Sequence, residues 1–411
     1  MRSYRWYGFC FPILFLYSIF YKNLMKKKIA ILGSTGSIGK TLINIIEKDK
    51  EKFEIKLLTA QKNYKELLKQ AKKFNVKNLI ISNLNSYEKL RKKLNKTNIR
   101  IFNNYDNFDK IFSSKIDYTM SAISGLEGLY PTKEIIRHTK LIAIANKESI
   151  ICGWDILKKS LRENNTKFIP VDSEHFSLWF ALKGIDSSNV KKIYLTASGG
   201  PFENYSLNKL RKVKISEALK HPNWKMGKKI SIDSATMMNK VFELIEAKNI
   251  FNLDYTKLSI LIHPKSYIHA IVLYKSGLIK IIAHDTNMKF PIFNTIYPDF
   301  NKEIKFNDLD INTLNSLNFK KVNQEIFPSV KIIKLLTKNL TLFNTVLVSA
   351  NDTLVNLYLK KKIKFTEIQK NLFKILKSTE FDKYKRIKPK KINEILKLNC
   401  YVSSKINLMK L

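Results

Sequence analysis

The chain has 411 residues, 45% of them hydrophobic, enough apolar material for two or three cored domains, which excludes a small disulfide scaffold and a disordered tail. Its 74 Lys and Arg against 34 Asp and Glu leave 74 − 34 = +40, a balance that first suggests nucleic acid or an anionic membrane. Most of the excess is Lys scattered among Ile and Asn along the whole chain, so charge alone selects no partner.

At the N-terminus Arg2 and Arg5 precede an uncharged run, Trp6 to Phe20, too short to span a bilayer. It has the look of a signal h-region, but no small-residue cleavage site separates it from Met25-Lys26-Lys27-Lys28. The reading adopted is that Met25 is the working start and residues 1–24 are upstream reading frame; a targeting segment is the alternative. The first implies a cytoplasmic protein, the second a plastid-type organelle, and neither implies stable membrane insertion. Cys10, Cys152 and Cys400 are too few for a disulfide framework or a thiolate zinc site, and a reducing compartment fits best.

From Ile29 onward strands and helices alternate. Ile29 to Leu32 is a short, wholly apolar run of the kind that fills the middle of a parallel sheet, and Ile38, Leu42, Ile45 and Ile46 then form a helical stripe. The pattern continues with strands at Lys56 to Thr59, Leu79 to Ile81, Arg100 to Phe102, Tyr118 to Ile123 and Leu141 to Ala145. Helices over Tyr64 to Phe74, Ser86 to Leu94 and Lys133 to His138 lie between them. Such alternation specifies a doubly wound parallel sheet, whose ligands bind at the carboxyl ends of the strands.

The turn after the first strand reads Gly33-Ser34-Thr35-Gly36-Ser37-Ile38-Gly39. Glycines at this spacing allow a tight turn, close approach of a pyrophosphate and close packing of the helix, whose N-terminal N–H groups face the anion. The second strand ends in Thr59-Ala60-Gln61-Lys62-Asn63, with no carboxylate to repel a 2′-phosphate and with Lys62 able to pair with one. NADP(H) is therefore preferred over NAD(H), although Lys62 reads equally as one more solvated lysine.

Five later segments carry chemistry. Asn146-Lys147-Glu148-Ser149 follows a strand at the ligand-facing edge, where Lys147 can polarise a substrate oxygen. The strand Phe168 to Val171 ends in Asp172-Ser173-Glu174-His175, and carboxylates at i and i+2 of an extended segment share a face. A divalent cation would hold them together; a solvated acidic turn is the plainer alternative. Thr196 to Phe202, after the strand Lys192 to Leu195, places Ser198 in a Ser-Gly-Gly turn suited to phosphate. His221-Pro222-Asn223-Trp224-Lys225-Met226-Gly227 puts a large aromatic in a loop, which suits a movable lid or a static anchor. Lastly, a helix starting near Asp233 or Ser234 sets Asn239, Lys240 and Glu243 on one face, opposite Met237, Val241 and Leu244. Alone, that stripe reads as a surface ion pair.

Together these motifs, with His263-Pro264 after them, resemble the 1-deoxy-D-xylulose 5-phosphate reductoisomerase family in order and spacing, from Lys26 to about Leu376. The resemblance implies an α/β protein: a Rossmann-like NADPH-binding domain over residues 25–150, an α+β catalytic domain over 151–300, a connecting segment over 301–325 and a C-terminal helical bundle over 326–411, assembled as a homodimer. It implies Mg²⁺ or Mn²⁺ on Asp172, Glu174 and Glu243, and substrate oxygens attended by Lys147 and Ser173. Ser198, His221, Ser234, Asn239 and Lys240 would take the phosphate end, with Trp224 and Met226 on the lid. Lys147 and His221 join the three carboxylates as catalytic candidates. The glycine turn, Lys62, Asn63, Asn146 and Glu148 are the expected cofactor contacts.

Two places depart from the family pattern. Gln61 stands where Gly usually precedes Lys-Asn, and Val348-Ser349-Ala350-Asn351-Asp352 replaces an Asn-Ala-Ala-Asn-Glu. The expected reaction is isomerisation of a phosphorylated ketose followed by reduction with NADPH, with no nucleic-acid partner. The competing readings are an NADP-dependent dehydrogenase of the semialdehyde type, which would need Cys152 as nucleophile, and a basic nucleic-acid-binding protein on a vestigial dinucleotide fold. His269 and His284 read as structural histidines in apolar strands.

Overall fold

The computed structural model describes residues 26–409 apart from 300, 301, 307 and 309. The choice between upstream frame and targeting segment for residues 1–24 lies outside the described residues. Among the described residues no helix is long and apolar enough to cross a membrane.

Seven strands form the first sheet: β1 (Lys27–Leu32), β2 (Phe53–Ala60), β3 (Asn78–Ile81), β4 (Arg100–Phe102), β5 (Tyr118–Ser121), β6 (Leu141–Ile144) and β7 (Lys167–Pro170). Their order is β4-β3-β2-β1-β5-β6-β7, and every pairing is parallel. Ile29, Ala30, Ile31 and Leu32 are fully buried because helices cover both faces of the sheet, which is why β1 reads as a continuous apolar run rather than an alternating one. The strand order reverses between β1 and β5. In an open parallel sheet that reversal splays the two following loops apart and opens a crevice.

The second sheet is mixed. It comprises β8 (Val190–Ala197), β9 (Leu258–Ile262), β10 (Ile268–Tyr274), β11 (Ile279–Ala283) and β12 (Lys320–Lys321), in the order β11-β10-β8-β9-β12. The helices Ser173–Leu182 and Met238–Phe251 pack on it through Leu178, Ala181, Leu244 and Ala247. The helix Lys289–Ile296 returns to the first sheet and adds Ile292, Phe293 and Ile296 to its core. The C-terminal helices Leu342–Leu359, Phe365–Leu376 and Ile392–Leu408 share one core with the helix Lys147–Glu163, in which Leu157, Phe343, Val346 and Leu354 are all buried. Leu354 on the first of these helices, and Ile368, Leu372 and Ile375 at helical spacing on the second, are buried.

Two local expectations are corrected. Asp172 and Glu174 do not share a face of extended chain: Asp172 is the N-cap of the helix Ser173–Leu182, accepting from Glu174 N–H at 3.3 Å, and Glu174 lies in its first turn. Acidic groups are favoured there because they complement the exposed N–H groups and the helix dipole. The helix expected from Asp233 is two helices, Lys228–Ala235 and Met238–Phe251, broken at Met237, whose φ of 62° is left-handed. Ser234 thus precedes the break, while Asn239, Lys240 and Glu243 stay together on the second helix.

Candidate active site

A cleft of about 490 Å³ runs from the glycine turn to the second sheet. Its end at the first sheet is made by Gly36, Ser37 and Ile38 after β1 and by Ala122, Ile123 and Ser124 after β5. Two of the glycines are required by geometry. Gly33 has φ +83°, and a Cβ there would sit 2.6 Å from Ala122 O; a Cβ on Gly39 would sit 2.4 Å from Gly33 O. Gly36 faces the cleft and caps the helix Ser37–Glu47 without a side-chain bond, leaving its first N–H groups to an anion. Ser34 is buried, with its backbone N–H donating to Thr59 O at 2.9 Å, so it holds the turn to β2. Gly33, Ser34, Thr35 and Gly39 therefore shape the turn, while Gly36, Ser37 and Ile38 line the cleft.

Lys62 and Asn63 are exposed beyond the end of β2. Asn63 caps the helix Tyr64–Lys73, accepting from Glu66 N–H at 3.2 Å. One feature was invisible in sequence: Gln61 Nε2 donates to Glu127 at 3.0 Å, so a carboxylate does stand near the end of β2, delivered from the loop after β5. Asn146 and Glu148 both line the cleft, with most of their polar capacity engaged internally. Asn146 caps the helix Lys147–Glu163 through Ser149 N–H at 2.6 Å and donates to Ile123 O and Gly125 O.

At the centre of the cleft Asp172, Glu174 and Glu243 bring one carboxylate oxygen each within 4.8 Å of the others. Lys147 Nζ lies 2.5 Å from Asp172, 3.3 Å from Glu246 and 3.5 Å from Glu243. Burial alone would lower the Lys147 ammonium, but the charges of Asp172, Glu246 and Glu243 outweigh it and hold it well above its usual value. Burial and then the Glu174 charge push the Glu243 carboxyl up. The Asp172 carboxyl is held well below its usual range, because Lys147 and His175 overcome its burial. Three carboxylate oxygens converging from half-buried Asp172 and Glu174 and buried Glu243 have the donor chemistry of a hard divalent ion site.

Toward the second sheet, Ser198 and Gly200 follow β8, and Gly200 sits against Ser234 O, 3.0 Å from where its Cβ would be. This brings the Ser-Gly-Gly turn and Ser234 together although 36 positions separate Ser198 from Ser234. His221 Nδ1 accepts from Asn223 N–H and Trp224 N–H at 3.1 and 3.0 Å. Burial and then the Lys240 charge push the ring down to about 4. The neutral ring therefore carries its proton on Nε2, which donates to Ser198 Oγ at 3.0 Å. Lys240 and Asn239, expected as phosphate donors, are bonded to the acidic cluster: Lys240 Nζ is 2.8 Å from Glu174 and also pairs with Glu243, and Asn239 Nδ2 donates to Glu243 at 2.5 Å. Ser173 Oγ donates to Glu174 at 2.6 Å. Trp224 and Met226 line the cleft, and His269, expected to be structural, lines it as well, edge-on to Trp224 at 6.2 Å.

Two groups of residues went unassigned in the sequence. His175 is fully buried, with Nδ1 3.0 Å from Asp172 and Nε2 donating to Glu243 O at 2.9 Å. Burial would lower its ring, but Glu246 and Asp172 push it up to about 9, so the imidazolium orients both elements that bear the carboxylates. Glu246 could have been found by its i+3 spacing from Glu243 on the same helix. The second group centres on Lys229, whose Nζ meets Glu148 and Asp352 at 2.9 Å and Asp233 at 3.2 Å. It ties the helix Lys147–Glu163, its own helix Lys228–Ala235 and the helix Leu342–Leu359 to one another. Lys229→Ala strands three carboxylates without a cation and should destabilise the fold by on the order of 2 kcal/mol, less than a fully buried pair because Lys229 retains solvent contact; an unchanged urea midpoint would contradict this.

Cys152 does not suit a nucleophile: it is fully buried, and burial pushes its thiol far up. The comparisons agree with the geometry. Family models match the chain over residues 29–153 (1-deoxy-D-xylulose 5-phosphate reductoisomerase), 168–251 (its C-terminal domain) and 285–402 (DXP reductoisomerase C-terminal domain). The chain is 57% identical to the reductoisomerase of Pelagibacter ubique over 93% of its own length and 99% of that protein. It is 39% identical to that of a Wolbachia of Drosophila simulans over 91% and 95%. Among solved structures it superposes on the Zymomonas mobilis enzyme in complex with NADPH at TM-score 0.82 and 32% identity, covering 94% and 100% of the two chains. A reductoisomerase in complex with NADPH, fosmidomycin and magnesium gives 0.84 at 30% identity over 93% and 97%. Identity of this order over nearly the whole length leaves one assignment for this fold and cleft: the chain belongs to the 1-deoxy-D-xylulose 5-phosphate reductoisomerase family.

Proposed function

We propose that the protein rearranges and reduces 1-deoxy-D-xylulose 5-phosphate to 2-C-methyl-D-erythritol 4-phosphate, with NADPH and Mg²⁺ or Mn²⁺, in non-mevalonate isoprenoid biosynthesis. The observation that carries it is the meeting, in one cleft, of three carboxylates within 4.8 Å with the hydroxyls of Ser198 and Ser234, Asn239 and Lys240 lining the same cleft. When bound, the metal ion polarises the ketose oxygens and NADPH supplies the hydride for the rearranged aldehyde. Asp172, Glu174 and Glu243 hold the ion, and Lys147 and Ser173 donate to substrate oxygens. Ser198, Ser234, Asn239, Lys240 and the Nε2–H of His221 bind the phosphate, whose binding energy orients the reacting carbons. Trp224 and Met226 close the cleft and exclude water. Consumption of NADPH should require both the substrate and Mg²⁺; NADPH oxidation indifferent to either one would sink the proposal.

The glycine turn, Asn146 and Glu148 would hold the cofactor, and Lys62 and Asn63 would meet its 2′-phosphate. Lys62→Glu should weaken NADPH binding roughly tenfold through charge reversal beside the phosphate while leaving NADH binding nearly unchanged. Equal losses for both cofactors, read by fluorescence titration, would place the 2′-phosphate elsewhere.

The active form is a homodimer working in the cytoplasm, in keeping with the bacterial relatives. Support for a second copy comes from β11, which among the described residues pairs only with β10 and, with the residue before it, exposes Leu278, Ile279 and Ile281. A long apolar edge is normally covered. Ile279→Lys with Ile281→Lys should shift the light-scattering mass from two chains to one.

A further inference from the structure

The turn His263-Pro264-Lys265-Ser266 after β9 has no part in the chemistry above, but it is held firmly. His263 N–H donates to Ala197 O at 2.7 Å and Ser266 N–H to His263 O at 2.9 Å. Ser266 keeps φ at +52°, a left-handed conformation that a serine retains only when its surroundings impose it. Behind the turn, the buried His263 ring donates from Nδ1 to Asn318 O at 3.0 Å and stacks on Phe319 at 5.0 Å. The next residues of that connecting segment form β12, which pairs with β9 at Ile262 and Leu261. The turn is thus clamped from behind.

One side chain of the loop His221 to Gly227 reaches it from the front. Asn223 Nδ2 donates to Pro264 O at 2.6 Å and to Ser266 Oγ at 2.9 Å. The loop itself has no helix or strand, and the backbone N–H groups of Asn223 and Trp224 both end on His221 Nδ1. Residues 221 to 224 therefore move as one unit. Where Asn223 is fastened, the Nε2–H of His221 is aimed at Ser198 and the Trp224 ring is set beside His269.

We propose that Asn223 is the latch of the lid and the Pro264–Ser266 turn its post. Asn223 is a positioning residue: it acts on the substrate through His221 and Trp224, and it sets how long the closed lid persists. Both bonds come from one amide to two fixed acceptors, so they break together when the loop swings out. The inference rests on the reading of His221 to Gly227 as a lid over the substrate.

The test uses the full chain with Mg²⁺, NADPH and fosmidomycin as the probe. Asn223→Ala should speed fosmidomycin release about tenfold and raise the substrate KM comparably, with KM carrying most of the change, since two hydrogen bonds are lost. NADPH affinity in the absence of fosmidomycin and the melting temperature should stay at wild-type values. Ser266→Gly keeps the left-handed turn accessible, deletes only the Oγ acceptor, and should speed release about threefold. Added to Asn223→Ala it should change little, because the contact is already gone. Unchanged release in Asn223→Ala, additive effects in the double variant, or losses of NADPH affinity and melting temperature that track the kinetic loss would each overturn the latch. A wild-type protein that neither turns over the substrate nor binds fosmidomycin would overturn the lid reading itself and the latch with it, whereas failure confined to the variants leaves that reading standing.

Discussion

Glu174→Gln should lower turnover by roughly a thousandfold while NADPH affinity changes by less than about twofold. The substitution keeps the shape of a largely buried side chain and removes its charge. Glu174 accepts from Ser173 and Lys240 at 2.6 and 2.8 Å, and an amide can keep only part of that pattern while offering a weaker ligand to a hard cation. The loss falls on the reacting end of the cleft. The glycine turn that receives the cofactor belongs to a separate element, fixed by Gly33 and Gly39 against β5 and its own backbone. Steady-state rates with saturating Mg²⁺, set beside a fluorescence titration of NADPH, measure the two ends independently. A variant with near-normal rates would remove Glu174 from the ion site, and one that also loses NADPH would mean the two ends are not separable.

What could be read from the sequence was local. The apolar run Ile29 to Leu32, the glycine spacing after it and the alternation of elements follow from short-range periodicity, and the parallel sheet reproduces them. Asp172 and Glu174 stood out as a candidate pair in a chain poor in acid, whereas Glu243, whose stripe alone reads as a surface ion pair, joined them only through the family resemblance. The details that failed depend on distant partners. Asp172 and Glu174 look like strand residues until the N-cap is seen, since Val171-Asp172-Ser173 reads equally as a strand end or a helix start. The break at Met237 has no local signal: Ala235-Thr236-Met237-Met238 continues a helical pattern, and only tertiary packing holds a methionine at φ +62°. His175 meets the Glu243 carbonyl across 68 positions, and Asn351 meets Asp233 across 118 at 2.7 Å. Asp352, where the family pattern has Glu, belongs to the Lys229 cluster.

A phosphonate bearing a hydroxamate should inhibit far better with Mg²⁺ than without it, by roughly a hundredfold, because the two ends of this cleft share side chains. Lys240 and Asn239 hold the carboxylates of Glu174 and Glu243, yet they also line the cleft that Ser198 and Ser234 line. They can turn to a phosphonate only when those carboxylates have another partner. Carboxylates engaged by a divalent ion release the donors, and donors engaged by the phosphonate leave the carboxylates to the ion, so each ligand should tighten the other by the same factor. Closure adds a second dependence. With Trp224 edge-on to His269 and its backbone N–H fixed to His221 Nδ1, the lid bears on the bound inhibitor rather than on the cofactor. Trp224→Ala should therefore weaken inhibition about tenfold, through faster release, with NADPH binding little affected. Inhibition constants across a Mg²⁺ series and Mg²⁺ affinity with and without the phosphonate give the two halves of the linkage. If the factors differ, or if inhibition ignores both Mg²⁺ and Trp224, the donors at Lys240 and Asn239 do not join the two ends.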